Sequence, residues 1–281
     1  MEALQEIQKR LGLDTTFKPM TPREREQFQV DCLNDMVGDR NQQDGYECEV
    51  CKNKGFVVKL VERKDGSYSH ESCDCKCLEI RRSIMRMKRS GLKDIIKDYT
   101  FDKFVDTEPW QKSIKAAAME YAKDPQGWFY MGGQVGAGKT HLCTAICREF
   151  LYGGKKVLYM LWRDEIVKIK ANVNDAAAYN AIIDKYKTAE VLYIDDLFKT
   201  GKAADNSVQR PTQADINAAF EIINYRYCNP ALLTIISSEL SEDELLDIDE
   251  AVGSRIYERA KAITIGRDRS RNYRIRKAIT I

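Results

Sequence analysis

The stretch GWFYMGGQVGAGKTHLCTAI, residues 127–146, decides the fold of this chain. An apolar run ends in glycines, a lysine and a threonine, and a helical pattern follows. The spacing G-x-x-x-x-G-K-[ST] is satisfied by residues 133–140, in the strand-then-helix context that this motif requires. Glycines let backbone N–H groups turn inward around a phosphate, and the helix N-terminus adds a partial positive charge. The segment is therefore interpreted as a nucleotide-binding loop rather than a chance glycine-rich turn.

The residue types in this loop predict individual roles. Lys139 would reach the β- and γ-phosphates of a nucleotide, and the hydroxyl of Thr140 would ligate Mg²⁺. The positions expected to contact the nucleotide are Gly133, Gln134, Val135, Gly136, Ala137, Gly138, Lys139, Thr140 and His141.

A second acidic motif supports this interpretation. The run VLYIDD, residues 191–196, ends a strongly apolar segment in two aspartates, as a Walker B strand does. Asp195 would hold the Mg²⁺ shell, and Asp196 would polarise the attacking water. Many such ATPases have Glu at the second position, and the shorter Asp predicts slow hydrolysis. For Asp196 the competing interpretation is an acidic strand end that caps the next turn.

Apolar strand-like runs alternate with amphipathic helical patterns from about residue 99 onward. Alternating strands and helices predict an α/β fold, with a parallel sheet covered by helices on both faces. The strand candidate KVLYML, residues 156–161, lies between the two nucleotide motifs in sequence. This arrangement is typical of the ATPase branch of P-loop proteins, in which an extra strand separates the two motifs.

Composition sets broad limits on function. The 281 residues suffice for one or two domains, and 45 basic against 43 acidic side chains give a formal charge of +2. Any nucleic-acid contact must therefore be local, because there is no global electrostatic preference. No apolar run approaches the ~20 residues of a membrane span. A cytoplasmic protein without membrane contact is expected, with most of its nine cysteines as thiols or metal ligands.

Five of the cysteines lie close together. Cys48 and Cys51 form a C-x₂-C pair, and the sequence CDCKC follows a segment that predicts a hairpin with an Asp-Gly turn. Such spacing indicates a tetrahedral zinc site in a small ribbon that depends on its metal for folding. The four ligands are drawn from Cys48, Cys51, Cys73, Cys75, Cys77 and His70.

Basic residues are concentrated in three segments. Arg255 and Arg259 lie four residues apart on one face of a predicted helix. The runs RRSIMRMKR, residues 81–89, and GRDRSRNYRIRK, residues 266–277, are rich in arginine, and the second contains one aromatic residue, Tyr273. Arginines beside Tyr273 suit phosphate contacts and base stacking on single-stranded nucleic acid. A solvated surface is the competing interpretation of these segments.

Taken together, the motifs YTFDKF, GQVGAGKTHL, VLYIDDLFK, TIISSEL and IDEAVGSRIYER resemble the DnaC/DnaI-like AAA+ helicase loaders of bacteria and phages, relatives of the transposition helper IstB. The resemblance covers roughly residues 45–281. It implies an AAA+ core that lacks a full helical lid. This core binds ATP, Mg²⁺ and single-stranded DNA. It also implies self-association through ATP-bridged subunits and delivery of a replicative DnaB-type helicase to DNA.

The resemblance also implies roles for particular residues. Arg255 corresponds to a finger that acts on the neighbouring subunit's ATP, and residues 100–104 would line the adenine side. Relatives end the zinc module in C-x-C before a basic helix, which selects Cys48, Cys51, Cys75 and Cys77 as the ligands. Many relatives end the first sensor strand in Ser-Asn, whereas this strand ends Ser237-Ser238-Glu239. Either Ser238 takes the polar role or Glu239 points away from the γ-phosphate.

Four segments are expected: a helical N-terminal arm (1–44), a zinc-binding module (45–80), a basic linker helix (81–98) and an AAA+ ATPase domain (99–281). In relatives the N-terminal module is associated with gripping the helicase. Two other functions remain open, an IstB-like helper that acts on duplex DNA and a P-loop kinase of small molecules. The zinc module favours the loader, and the arginine-bearing helix disfavours the kinase.

Overall fold

The computed structural model describes residues 20–87, 98–201 and 210–276. The chain divides into two compact units between residues 78 and 79. Part of the expected N-terminal arm, residues 1–19, and most of the expected basic linker, residues 88–97, lie outside the described residues.

The first unit is a two-stranded ribbon with helices beside it. Its elements are α1 (Pro22–Asp35), α2 (Arg40–Asp44), β1 (Phe56–Glu62) and β2 (Tyr68–Asp74), and α3 (Cys77–Met87) begins at its end. The two strands are antiparallel, and Gly66 takes a positive φ of 78° in the expected Asp-Gly turn. Asn34 of α1 both donates to and accepts from the backbone of Val58, which attaches the helix to the ribbon.

The second unit alternates helices and strands, as the sequence predicts. Its elements up to the second nucleotide motif are α4 (Pro109–Lys123), β3 (Trp128–Gly133), α5 (Lys139–Tyr152), β4 (Val157–Leu161), α6 (Trp162–Ala171), α7 (Ala176–Thr188) and β5 (Val191–Leu197). Those that follow are α8 (Gln213–Tyr227), β6 (Leu233–Ser238), α9 (Glu242–Ile248), α10 (Glu250–Arg259), β7 (Ala260–Ile265), a 3₁₀ turn (Arg269–Arg271) and α11 (Tyr273–Arg276).

The five strands of this unit form one parallel sheet in the order β4-β5-β6-β3-β7. The strand that separates β3 and β5 in space is β6, whereas β4, which separates them in sequence, lies at the edge. All six residues of β3 are buried, as expected for a central parallel strand that helices cover on both faces. The predicted α/β fold of an AAA+ P-loop core is therefore confirmed.

A fully buried arginine connects the helices to the sheet. Arg226 of α8 donates from one terminal nitrogen to the carbonyl oxygens of Tyr186, Lys187 and Ala189, where α7 ends, at 2.8–3.1 Å. Its remaining nitrogens donate to Leu233 and Thr234 of the sheet region. Burial lowers the pKa of Arg226 to about 10, and the last carbonyls of α7 supply the negative partial charge that compensates the guanidinium.

Candidate nucleotide site and cysteine cluster

The phosphate loop connects the end of β3 to the start of α5. Gly133 and Gly138 take positive φ values of 91° and 90°. A Cβ at Gly133 would come within 2.1 Å of the carbonyl oxygen of Ile265, and one at Gly138 within 2.6 Å of the Phe104 ring. Only glycine fits these two positions, because both the backbone conformation and the space exclude a side chain.

Lys139 lies at the start of α5 with its ammonium group inside the loop. The ammonium donates to the carbonyl oxygens of Gly133 at 2.8 Å and Gln134 at 2.7 Å. The side chain is buried, and this desolvation lowers the pKa of Lys139 to about 8, although the carboxylates of Glu239 and Asp196 oppose the shift. A phosphate group in the loop would replace weak carbonyl partners with a full negative charge.

Asp195 collects hydroxyl donors at the end of β5. Its carboxylate accepts hydrogen bonds from Thr140 at 3.1 Å, Tyr193 at 2.8 Å and Tyr159 at 2.9 Å, and also from Ser237. Burial, followed by the charge of Asp195, raises the pKa of Tyr159, so this phenol remains a donor. Carboxylate and hydroxyl oxygens are the ligands that Mg²⁺ prefers, and those of Thr140 and Asp195 are adjacent. The two side chains therefore fit a shared magnesium ion.

Asp196 faces a different partner. Its φ is +58°, which is unusual outside glycine, and its carboxylate accepts from the ammonium of Lys199 at 2.8 Å. Lys199 also contacts Glu239, at 2.9 Å. Burial acts to lower the pKa of Lys199, but the hydrogen bonds to both carboxylates outweigh it, and the pKa is raised.

The first sensor strand differs from the expectation. Glu239 lines the cavity beside the phosphate loop, so it does not point away, and its charge is paired with Lys199. The hydroxyl of Ser238 donates to the carbonyl oxygen of Leu197 at 2.8 Å, and Ser237 is the serine that contacts Asp195. Sequence reasoning did not find the contacts of Ser237 with Asp195 and of Lys199 with Glu239, because each connects the neighbouring strands β5 and β6 and the strand order is not visible in the sequence.

An aromatic wall forms the other side of this cavity, which has a volume of about 360 Å³. The imidazole of His141 stacks on Tyr99 with ring centroids 4.5 Å apart and meets Phe104 edge-on at 5.3 Å. Burial lowers the pKa of His141, which favours the neutral imidazole. Lys103 and Phe104 of the expected segment line the cavity, whereas Thr100 and Phe101 do not. Flat, largely apolar rings suit a nucleobase.

The segment after β7 lies against the phosphate loop. The backbone N–H of Tyr273 donates to the carbonyl oxygen of Gly136 at 3.0 Å, and its hydroxyl donates to that of Val105 at 2.6 Å. Tyr273 and Arg274 both line the cavity. The sequence suggested Tyr273 as a platform for base stacking on nucleic acid, and the structure places it at the cavity beside the phosphate loop. The position of Tyr273 follows only from the order of strands in the sheet. Because β7 pairs with β3 in parallel, both strands end at the same edge, and the segment after β7 reaches the phosphate loop.

The two arginines of α10 share one face, as their spacing predicts. Both guanidinium groups lie over the ring of Tyr227, at 5.5 Å for Arg255 and 5.8 Å for Arg259. Arg255 also donates to the side chain of Asn224 at 3.1 Å and to the carbonyl oxygen of Ala251 at 2.8 Å. These contacts hold the half-buried guanidinium of Arg255 in one orientation.

The first unit contains a group of four buried cysteines, Cys48, Cys51, Cys75 and Cys77, whose sulfur atoms all lie within 4.8 Å of one another. The backbone N–H of Gly55 donates to the sulfur of Cys51 at 3.2 Å, as expected beside a thiolate. Four convergent sulfur atoms are the donor set of a structural zinc site, so the residues fit the metal that their spacing suggests.

The two alternative ligands lie elsewhere on the ribbon. Cys73 stands opposite Val57 in the β1–β2 pair and is only partly buried. His70 contacts the carboxylate of Glu26 on α1 at 3.0 Å. Neither side chain belongs to the group of four sulfur atoms.

Comparison with known proteins identifies the family to which the chain belongs. The family model of the bacterial DnaA ATPase domain matches residues 95–259, which is more than half of the chain. The chain belongs to this family. The uncharacterized protein YqaM of Bacillus subtilis (strain 168) is 30% identical over 297 aligned positions, which cover 90% of this chain and 92% of YqaM. The alignment with YqaM thus covers most of both chains.

More distant matches agree with the family. The replicative helicase loader DnaC of Escherichia coli (strain K12) is 27% identical over 128 residues, which cover 43% of this chain and 52% of DnaC. A crystal structure of the DnaC helicase loader superposes with a TM-score of 0.51 at 20% identity, covering 61% of this chain and 98% of that one, and shows the shared fold. The predicted resemblance to DnaC/DnaI-like AAA+ proteins is confirmed, and the chain is a replication-related member of the DnaA ATPase family.

Among the helices of the described residues, none combines the length and the apolar character that crossing a bilayer requires.

Proposed function

We propose that the chain is an ATP-dependent loader that places a replicative DnaB-type helicase on single-stranded DNA. The observation that carries this proposal is the contact between Thr140 and Asp195 beside the phosphate loop, in a chain of the DnaA ATPase family. Two of its relatives by sequence or fold are named as DnaC helicase loaders. A P-loop with a paired acidic strand end is the machinery of ATP binding and hydrolysis.

In this mechanism the side chains act on ATP as follows. Lys139 leaves its loop carbonyls and holds the β- and γ-phosphates. Thr140 and Asp195 would hold Mg²⁺, and the ion would supply positive charge against the phosphate oxygens. Asp196 accepts the proton of the attacking water, for which it must first separate from Lys199. Because that ion pair stabilises the inactive arrangement, basal hydrolysis is slow until DNA or a partner rearranges the site.

The zinc module and the neighbouring subunit complete the proposal. Cys48, Cys51, Cys75 and Cys77 would hold one Zn²⁺ as thiolates, which would cross-link the ribbon, and the ribbon grips the helicase. Arg255 acts on the ATP of the adjacent subunit, so ATP binding drives self-association. Basic side chains of the C-terminal segment contact single-stranded DNA, and the N-terminal arm contributes to partner binding.

Native mass spectrometry of the chain mixed with the host's replicative helicase tests the proposal, with and without ATP. A complex whose stoichiometry changes with ATP, and no longer does so in the Lys139→Ala variant, is expected. If no complex forms under any condition, the loader function is wrong. Binding of duplex DNA with ATP-dependent oligomerisation would then support a transposition helper instead.

A further inference from the structure

An acidic side chain lies where the nucleotide phosphates are expected. Glu239 follows the last residue of β6 and lines the cavity with Lys139 and Asp196. A carboxylate next to a triphosphate repels it, and the repulsion is strong where water is partly excluded. The chain therefore needs a way to tolerate Glu239 at this position.

Lys199 supplies the compensating charge. Its ammonium lies 2.9 Å from Glu239 and 2.8 Å from Asp196, and its side chain is about one-third exposed. The acidic groups come from the ends of neighbouring strands β5 and β6, and Lys199 follows β5 by two residues. The lysine thus bridges the carboxyl ends of the two strands that face the phosphate loop.

The same charges act on Lys139. All four groups line the same cavity, where Glu239 and Asp196 attract the ammonium of Lys139 and Lys199 repels it. Two ammonium and two carboxylate groups cancel there, and loss of Lys199 alone would leave a net negative charge. The penalty falls mainly on the outermost phosphate, because Coulomb repulsion decreases with distance.

We propose that Lys199 determines the preference of this site for a nucleoside triphosphate over a diphosphate by neutralising Glu239 beside the γ-phosphate. The inference rests on the proposed ATP site. Lys199 acts through Glu239, so its effect depends on the glutamate's charge and disappears when that charge is removed. A lysine that merely stabilised the fold would affect both nucleotides equally.

Isothermal titration of the full-length chain with ATP and with ADP, each with Mg²⁺, tests this inference on Lys199→Met, Glu239→Gln and the double variant. Lys199→Met is expected to weaken ATP binding about tenfold and ADP binding less than about twofold, as an uncompensated charge requires. The double variant should bind ATP within about twofold of the unchanged chain, and Glu239→Gln alone should bind ATP at least as tightly.

Lys187→Met is the matched control, because Lys187 also bridges two carboxylates, those of Asp184 at 3.2 Å and Glu221 at 3.0 Å, but does not line the cavity. It should leave both affinities unchanged. Equal losses for ATP and ADP in Lys199→Met, or no recovery in the double variant, would overturn the inference. Should Lys199→Met fail to fold, an ATP affinity that falls in Glu239→Gln would overturn it as well. If the unchanged chain binds no nucleotide, the proposed ATP site itself is wrong.

Discussion

The backbone N–H of Tyr273 donates a hydrogen bond to the carbonyl oxygen of Gly136, 3.0 Å away. This contact seats the C-terminal segment directly on the phosphate loop. A second contact strengthens the attachment, since the backbone N–H of Asp268 donates to the side chain of Gln134 at 2.8 Å. The segment is therefore part of the nucleotide site, although it follows the last strand of the sheet.

This arrangement predicts that Tyr273→Ala weakens ATP binding about fivefold to tenfold, because the cavity loses one apolar wall. Tyr273→Phe keeps the ring and loses only the hydroxyl's hydrogen bonds, to the carbonyl oxygen of Val105 and from the side-chain amide of Gln111, so a smaller loss is expected. Titration calorimetry of both variants measures the difference. Tyr152→Ala, which removes a partly exposed tyrosine outside the cavity, serves as the control. Unchanged affinity in Tyr273→Ala would exclude a role for the segment in nucleotide binding.

The buried ammonium of Lys139 predicts that ATP binding takes up protons above neutral pH. In the free chain burial lowers its pKa to about 8, and a bound phosphate would raise it again. Affinity is therefore complete only below about pH 7 and falls as the pH rises through 8, with uptake of roughly half a proton at pH 8 and approaching one by about pH 9.

Calorimetry at pH 8.5 in two buffers of different ionisation enthalpy measures this uptake directly. The apparent binding enthalpies should differ by the uptake multiplied by the difference in buffer enthalpy. Equal enthalpies in the two buffers would mean that Lys139 is already fully protonated in the free chain.

The local sequence predicts those parts of the site that lie on one strand-to-helix connection. The loop glycines, Lys139 and the acidic end of β5 are recognisable because their spacing alone dictates the chemistry. The four cysteines could be selected from the six candidate ligands only with the help of the family resemblance. From the sequence alone, Cys73 and His70 have equally suitable chemistry.

Residues whose partners lie on other strands could not be found in this way. The contact of Lys199 with Glu239 depends on β5 and β6 being neighbours, and the position of Tyr273 depends on β7 pairing with β3. Hydrophobic patterning identifies strands but does not fix their order in a parallel sheet. The nucleotide motifs were therefore predictable, and the resemblance placed Glu239 at the first sensor, whereas Lys199 and the ring of Tyr273, which complete the cavity, were not predicted.

The buried hydrogen bonds of Arg226 predict that its substitution strongly lowers the stability of the fold, although Arg226 does not line the nucleotide cavity. Its substitution by Met leaves the carbonyl oxygens at the end of α7 and that of Leu233 without their buried donor. Unfolding free energy should fall by about 3 kcal/mol or more, because several buried acceptors lose their partners together. Urea denaturation measures the change. Arg148→Met, which removes an exposed guanidinium over Tyr152, should change stability by less than about 0.5 kcal/mol.

The cysteine group predicts one zinc ion per chain and a clear difference between two substitutions. Cys51→Ser removes a fully buried sulfur from the group, so zinc content should fall strongly and the ribbon should lose its structure. Cys73→Ser lies outside the group and should retain one zinc ion. Native mass spectrometry counts the metal, and circular dichroism follows the ribbon. Loss of zinc in Cys73→Ser would mean that Cys73 is a zinc ligand in place of one of the four proposed cysteines.

The proposed role of Arg255 as a finger for the neighbouring subunit predicts that two inactive variants regain ATPase activity when they are mixed. Its guanidinium is oriented by Asn224 and Ala251 on its own chain, which suits a group presented to a neighbouring subunit. Arg255→Ala should reduce ATP turnover about 10³-fold, as expected for a lost arginine finger, and leave nucleotide affinity of the single chain intact. Arg259→Ala is the matched control on the same face and should retain most of the turnover.

Asp196→Asn should also abolish turnover, because the group that activates water is lost. When Arg255→Ala and Asp196→Asn chains are mixed, some interfaces combine the intact ATP site of the first variant with the intact Arg255 of the second. ATPase activity should therefore reappear in the mixture, up to about a quarter of the unchanged protein's rate if subunits pair at random and interfaces act independently. A finger that acts within its own chain would give no recovery, because every chain in the mixture then lacks one of the two groups.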